Sequence, residues 1–358
     1  MAGLPGGNGD GGAGSGGGGG GSGGAGGGGG TSMCTGCGCD APVLLVAVQS
    51  VDGSQSNDGR VLQLSVPASG PAVACGPTLN AAHSLSKSPT AVGWVPPDGV
   101  LYGSSESTLF LDGTHDQIRT TYRPTQAGDV PRALFTLTRA GMPDVIVVGL
   151  DTDGFGDVTA LKMVDPKNGS ELKSWDVTST QAPIHLGSSV PSMARDPFDS
   201  SRIAYIDNNA NHPVMQSAIP WDEQTVQPTV WYATRPPGNA PSTLNTLDGA
   251  VKRAVWAQTS TSTTIADVIY EIDDDGTGPT LFGPLQCGDM ALCKQPFKTS
   301  DATPDPSLPE RVLATCDTAT SNVRNVVRVD ASGCSLVVDG SKLPTLTYPV
   351  ALAVGNAR

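Results

Sequence analysis

Clustered positive charge is absent from this 358-residue chain, in which 21 Lys and Arg are scattered among 34 Asp and Glu for a formal net charge of −13. Nucleic-acid affinity depends on grouped cations that neutralise phosphates, so no nucleic-acid partner is expected, and an acidic surface is also repelled by anionic lipid. Also absent is any apolar run near the ~20 residues that a membrane-spanning helix requires. The longest runs, LLVAV and VIVVGL, suit single strands. Long charged helix formers are scarce, whereas Pro, Gly, Thr, Ser and Val are frequent, a composition of short strands and turns. Linear catalytic signatures are missing too. No HExxH, P-loop or Ser/Thr-x-Asp-x-Gly-x-x-Trp box occurs, and GxSxG and GxGxxG matches fall in a glycine tract where composition makes them trivial. Nucleophilic hydrolysis, zinc proteolysis and nucleotide use therefore have no sequence support.

The glycine tract dominates residues 1–40 and has almost no apolar side chain to bury, which predicts a disordered tether ahead of a folded domain over residues 41–358. Eight cysteines, an even number, point to an oxidising compartment. Yet the start MAGLPGG carries neither the basic nor the apolar segment of a secretory signal. Both observations are met if the recorded start is internal to a longer precursor with an upstream signal. A glycine tract so placed resembles the spacer that follows the lipid-bearing cysteine of bacterial surface lipoproteins. The resemblance implies an extracytoplasmic protein, at the cell surface or in the periplasm, that meets the membrane only through an upstream lipid anchor.

Beyond the tract, an aliphatic residue followed by Asp or Pro at a turn recurs six times, as Val66-Pro67, Leu111-Asp112, Val164-Asp165, Ile219-Pro220, Ile272-Asp273 and Val329-Asp330. The spacings, 45 to 57 residues, match the repeat of a four-stranded blade in a toroidal β architecture. Second strands begin at Val43, Val100, Asp144, Arg202, Arg253 and Arg311, and third strands end at the six signatures. Fourth strands follow a tight turn, as in QIRTTY, ELKSWDV, TVWYAT and SLVVDG. Inner strands crowd an axis and use small residues; they are expected from Thr90 and Arg132 and near Ser192, Leu244 and Thr299. The first repeat has no inner strand ahead of Val43, but YPVALAVG from Tyr348 shares the Pro and small apolar pattern of SPTAVGWV. The expected fold is all-β, a six-bladed ring closed by pairing of this C-terminal strand with the strand from Val43, because that overlap removes both free edges.

This organisation resembles the β-propeller superfamily. The stretch ALKMVDPKNGSELKSW, with Asp165, Gly169 and Trp175, is similar to a quinoprotein-type repeat, and PDVIVVGLDTDGFGDV is similar to the calcium loops of integrin-type repeats. Each occurs once, so the resemblance implies the blade and not a quinone.

Blade topology places second-to-third and fourth-to-next-first connections on one face, the one on which propellers usually accept ligands. His83, His185 and His212 fall on it and His115 on the other. Imidazoles there are candidate catalytic or metal-binding groups, or else solvated loop residues. On the same face, Asp151, Asp153 and Asp157 alternate with Gly154 and Gly156, and carboxylates so spaced are candidate oxygen ligands for Ca2+ or else form an unoccupied turn. A second acidic run, Asp273 to Asp275 before Gly276, reads as turn chemistry on the opposite face.

The cysteines fall as Cys34, Cys37 and Cys39, then Cys75, Cys287, Cys293, Cys316 and Cys334. Disulfides fit better than zinc, which needs four well-placed ligands; the expected pairs are Cys287 with Cys293, and Cys75 with one of the first three. The functional expectation is a non-enzymatic, envelope-tethered propeller that binds a protein, peptide or glycan through one face. Its rival is a propeller-type lyase or hydrolase with a metal-assisted site in the central funnel, built from His83, His185 or His212. Fold alone does not choose between them.

Overall fold

The computed structural model describes residues 42–50, 59–79, 89–95, 99–104, 107–124, 126, 128–208, 214–222, 224–232, 241–343 and 347–355. They lie within a compact unit spanning Cys34–Arg358. The glycine tract falls outside the described residues.

Six four-stranded antiparallel sheets form the blades. Blade 2 runs from its inner strand Pro89–Val95 through Gly99–Ser104 and Thr108–Asp112 to the outer strand Gln117–Tyr122. Blade 3 comprises Val130–Leu137, Val145–Asp151, Ala160–Val164 and Glu171–Asp176. Blade 4 comprises Met193–Arg195, Arg202–Ile206, Val214–Ala218 and Thr229–Tyr232. Blade 5 comprises Pro241–Leu247, Lys252–Gln258, Val268–Asp274 and Pro279–Leu285. Blade 6 comprises Ala302–Pro304, Val312–Asp317, Arg324–Asp330 and Gly333–Val338. Blade 1 is the composite one: Val43–Ser50, Arg60–Ser65 and Val73–Ala74 take their inner strand, Thr347–Gly355, from the far end of the chain. The pairing runs antiparallel from Val43 opposite Gly355 to Ser50 opposite Thr347, the closure expected from sequence.

Core packing explains why the second strands are almost continuously apolar. Alternate side chains of a strand point to opposite faces, and in a ring of blades both faces are covered by neighbours. Val43, Leu45 and Ala47 pack with Val100, Tyr102 and Leu111 of blade 2, while Leu44, Val46 and Val48 pack with Leu313, Val326 and Val337 of blade 6. Four more apolar clusters fill the remaining seams in turn. Trp175, the residue of the quinoprotein-like motif, is a core side chain in the seam between blades 3 and 4.

Near the axis the inner strands approach closely. A Cβ at Gly93 would lie 2.2 Å from the Leu134 carbonyl oxygen of the next blade, so only glycine permits that contact. Pro89, Pro131, Pro241 and Pro349 each stand at a register shift between an inner strand and its neighbour. A proline lacks the N–H that a continuous ladder needs, and the bulge beside it accommodates the lost bond.

The disulfide pattern corrects one expectation. Cys287 pairs with Cys334 and Cys293 with Cys316, not with each other. Cys287 and Cys293 are both fully buried in the seam between blades 5 and 6, where they meet the fourth and second strands of blade 6, respectively, at Cα separations of 5.3 and 5.6 Å. Proximity in sequence was the wrong guide because the connection folds down onto the blade. Closing loops of 47 and 23 residues constrains the unfolded chain by about 4 and 3 kcal/mol. Cys75 is also disulfide-bonded, and the three candidates for its partner lie outside the described residues.

Candidate functional site

The six inner strands enclose an axial cavity of about 510 Å³. Its lining begins at the residues that follow the strand-opening prolines. Thr90, Arg132, Ser192, Ser242 and Val350 each come directly after a proline, and Ser300 completes the set from blade 6. Deeper positions contribute Trp94, Asn245 and Thr246, and the opposite end holds Arg195, Asp248 and Lys252.

Hydrogen bonds between blades hold this lining in place. Asp301 accepts from the Leu352 amide at 2.8 Å, the Ala302 amide at 2.9 Å and the Asn245 Nδ2 at 3.0 Å, and so ties blades 1, 6 and 5 together. Burial pushes its carboxyl up to about 7, while the three donors act in the opposite sense. Ser192 Oγ accepts from the Leu244 amide at 3.0 Å, and Thr246 Oγ1 donates to the Arg195 carbonyl at 2.6 Å. These bonds make the cavity wall rigid and polar.

Charged side chains of both signs line the cavity. Its charged lining residues are Arg132, Arg195 and Lys252 against Asp248 and Asp301, three cations to two acids, in a chain with 21 basic and 34 acidic side chains. Arg195 pairs with Asp248 at 2.8 Å. Lys252 has no ion pair among the described residues.

Arg132 is positioned by the loop that sequence marks as a calcium candidate. Its Nε and Nη2 donate to Asp151 Oδ2 at 3.3 and 2.8 Å. Asp151 is fully buried and also accepts from the amides of Gly154 at 2.7 Å and Gly156 at 2.9 Å. Both glycines adopt positive φ, +80° and +97°, which lets the loop curl round the carboxylate. Burial alone would raise the Asp151 carboxyl, but the Arg132 guanidinium and the two amides outweigh it and hold the group below its ordinary value. Asp153 is exposed and accepts from the Phe155 amide at 3.1 Å, and Asp157 is pushed up by burial and by the charges of Asp153 and Asp151. Among the described residues no group of three or more His, Cys, Asp or Glu is arranged to hold a metal ion.

Asp151 Oδ2 is taken up by Arg132 and the Gly156 amide, so a Ca2+ at this loop would draw on Asp151 Oδ1, Asp153 and Asp157. Differential scanning with millimolar Ca2+ is therefore expected to show no rise in melting temperature. A rise that disappears in Asp153→Ala would establish the metal site instead.

Of the candidate catalytic histidines only His185 is among the described residues. His185 lies between the outer strand of blade 3 and the inner strand of blade 4, on the expected face, but is not part of the lining. Its Nδ1 is buried without a hydrogen-bond partner among the described residues. Beside it Asp176 is held below its ordinary pKa, first by the Thr178 hydroxyl and to a lesser degree by His185. His83 and His212 lie outside the described residues. His115 sits at the opposite face in a turn whose amides Asp112 accepts. Asp274 and Asp275 accept turn hydrogen bonds from Gly276 and Thr277, as expected for the second acidic run. The cavity residues themselves escaped the sequence reading, although the recurrent proline before the inner strands, at 89, 131, 191, 241 and 349, marks where they begin.

No family model matches the chain, and neither does any curated protein. Solved structures with a similar course of the chain include a protein of unknown function from Bacteroides caccae, at 11% identity over 88% of this chain and 98% of that one, with a TM-score of 0.48. A candidate 6-phosphogluconolactonase from Bacteroides uniformis aligns at 12% identity over 88% of this chain and 100% of its own, with a TM-score of 0.44. Kuenenia stuttgartiensis hydrazine synthase aligns at 10% identity over 75% of this chain and 70% of its own, with a TM-score of 0.42.

Proposed function

We propose that this β-propeller is a binding protein that holds a short glycan in its axial cavity, without turnover, on the outer side of the cytoplasmic membrane. The cavity carries the reading. At about 510 Å³ it falls within the roughly 300–1,000 Å³ of small-molecule sites. Its wall offers hydroxyls, a carboxamide and charged groups that suit a hydroxyl-rich ligand, and Trp94 adds an aromatic surface. The groups best placed for acid–base chemistry are otherwise engaged: Asp301 joins three blades and Asp248 pairs with Arg195. The two disulfides of blade 6 favour an oxidising compartment. Among the described residues no helix is long and apolar enough to cross a membrane. Residues 1–40 would then serve as the tether.

The reading is tested by thermal shift and turnover on one panel of oligosaccharides. We expect at least one glycan to raise the melting temperature and to be recovered unchanged. Product formation that is lost in His185→Ala would replace binding by the lyase or hydrolase reading. A panel without effect, together with capture of a protein or peptide at the cavity mouth, would move the ligand to that class.

A further inference from the structure

We infer that the cavity selects an anionic, hydroxyl-bearing ligand, a sugar that carries a carboxylate or a phosphate group, with Arg132 as the side chain that recognises the charge. This inference rests on the binding reading above and adds the ligand's chemical class.

Three observations converge on it. First, two of the three lining cations are paired, Arg195 with Asp248 and Arg132 with Asp151, so the cations of the axis are held in place by carboxylates. Secondly, Arg132 is anchored from behind. Asp151 is fully buried and takes Nε and Nη2, while Nη1 makes no hydrogen bond among the described residues. A guanidinium held along one edge presents its remaining donors in a fixed orientation, the condition for directional recognition of a carboxylate or phosphate. The Asp-Gly loop thus acts as a positioning device for Arg132. Thirdly, Lys252 stands at the other end of the channel, after the turn that follows the blade 5 inner strand, and has no ion pair among the described residues. Arg132 stands near the start of its inner strand and Lys252 just beyond the end of the blade 5 inner strand, so one can recognise the ligand at one end while the other draws it inward from the opposite end.

The test is calorimetric titration of the whole chain with three probes: trigalacturonic acid, neutral galactotriose and glucose 6-phosphate. An anionic probe is expected to bind about tenfold or more tightly than the neutral one at low salt, and the preference should shrink as salt is added. Arg132→Gln should reduce the ratio of anionic to neutral affinity by about tenfold. Asp151→Asn should reduce it in the wild-type background and have no further effect in the Arg132→Gln background, a coupling that mere loss of stability would not produce. Lys252→Gln, a change at a half-buried side chain at the start of its strand, should weaken the anionic probe alone. The two anionic arms separate carboxylate from phosphate recognition. Equal or tighter binding of galactotriose, or anionic binding indifferent to both Arg132→Gln and Lys252→Gln, overturns the inference and leaves the binding reading intact. Binding of none of the three probes overturns the inference, and failure of the wider glycan panel as well overturns the binding reading.

Discussion

Removal of residues 347–358 is expected to abolish cooperative unfolding, or to lower the melting temperature by about 10 °C or more. The segment supplies the whole inner strand of blade 1, and its pairing with Val43–Ser50 is what closes the ring. Its loss exposes the ladder edge of Val43–Ser50 and unroofs the two seams that this strand serves. Ala351, Leu352 and Ala353 are all buried, and a Leu→Ala change at a site such as Leu352 by itself costs about 2–5 kcal/mol, while a domain's entire stability is about 5–15 kcal/mol. The Leu352 amide also donates to Asp301, so truncation leaves that buried carboxyl short of one partner. Calorimetry of the truncated chain, alone and with a synthetic peptide of residues 347–358 added, checks the expectation. Recovery of the transition with peptide supports closure by this strand; a truncated protein that melts within a degree or two of the full chain would sink it.

Stability is expected to fall as pH rises from 7 to 9, and Glu271→Gln is expected to remove most of that fall. Glu271 is fully buried in blade 5 and neither of its carboxyl oxygens makes a hydrogen bond among the described residues. Arg253 lies 3.5 Å away but directs its Nη1 to the carbonyls of Asp305 at 2.6 Å and Leu308 at 2.9 Å. Burial, reinforced by the charge of Asp273, pushes the Glu271 carboxyl up to about 9 from its ordinary 4.5. A carboxyl with a raised folded-state pKa stabilises the fold in its neutral form. That contribution is full below 4.5 and is lost as pH climbs through 9, at up to about 1.4 kcal/mol per pH unit. Asp301 acts in the same direction but is exhausted by about 7, and carboxylates held below their ordinary values, such as Asp151 and Asp176, act only in acid. Asp129, Asp157, Asp196 and Asp273, raised mainly by burial, act in the same direction, so it is the comparison with Glu271→Gln that isolates Glu271 above pH 7. Melting temperatures at unit pH steps should decline by roughly 2 °C per unit in the wild type and stay nearly level in Glu271→Gln, which should be the more stable of the two at pH 9. Parallel curves for the two proteins would show that Glu271 does not govern the slope.

Much of the architecture was legible in the chain because a blade is written in local terms. A β-branched second strand, an aliphatic-Asp or aliphatic-Pro turn and a short outer strand depend on residues a few positions apart, and the ring merely repeats them. Even the closure was legible, since Pro349 and the small residues after it match the pattern that opens the strand from Pro89. The inner strands of blades 4 and 6, only three residues each, gave the weakest pattern because so short a segment holds little periodicity.

The site was not legible to the same degree, and the reason is distance along the chain. Asp151, Asp153 and Asp157 carry the composition of a cation loop, but the sequence does not record that Arg132, 19 residues earlier, takes the first of these carboxylates across two paired strands. Cys287 and Cys293 lie six positions apart, yet burial in a seam turns each toward a different strand of blade 6. Local propensity and repeat spacing by themselves determined the six blades, their strand order and their closing strand. Which side chains share the axial cavity, which cysteines meet and which carboxylate is neutralised were decided only when six distant segments converged on one axis, because contact, burial and charge pairing depend on position in space.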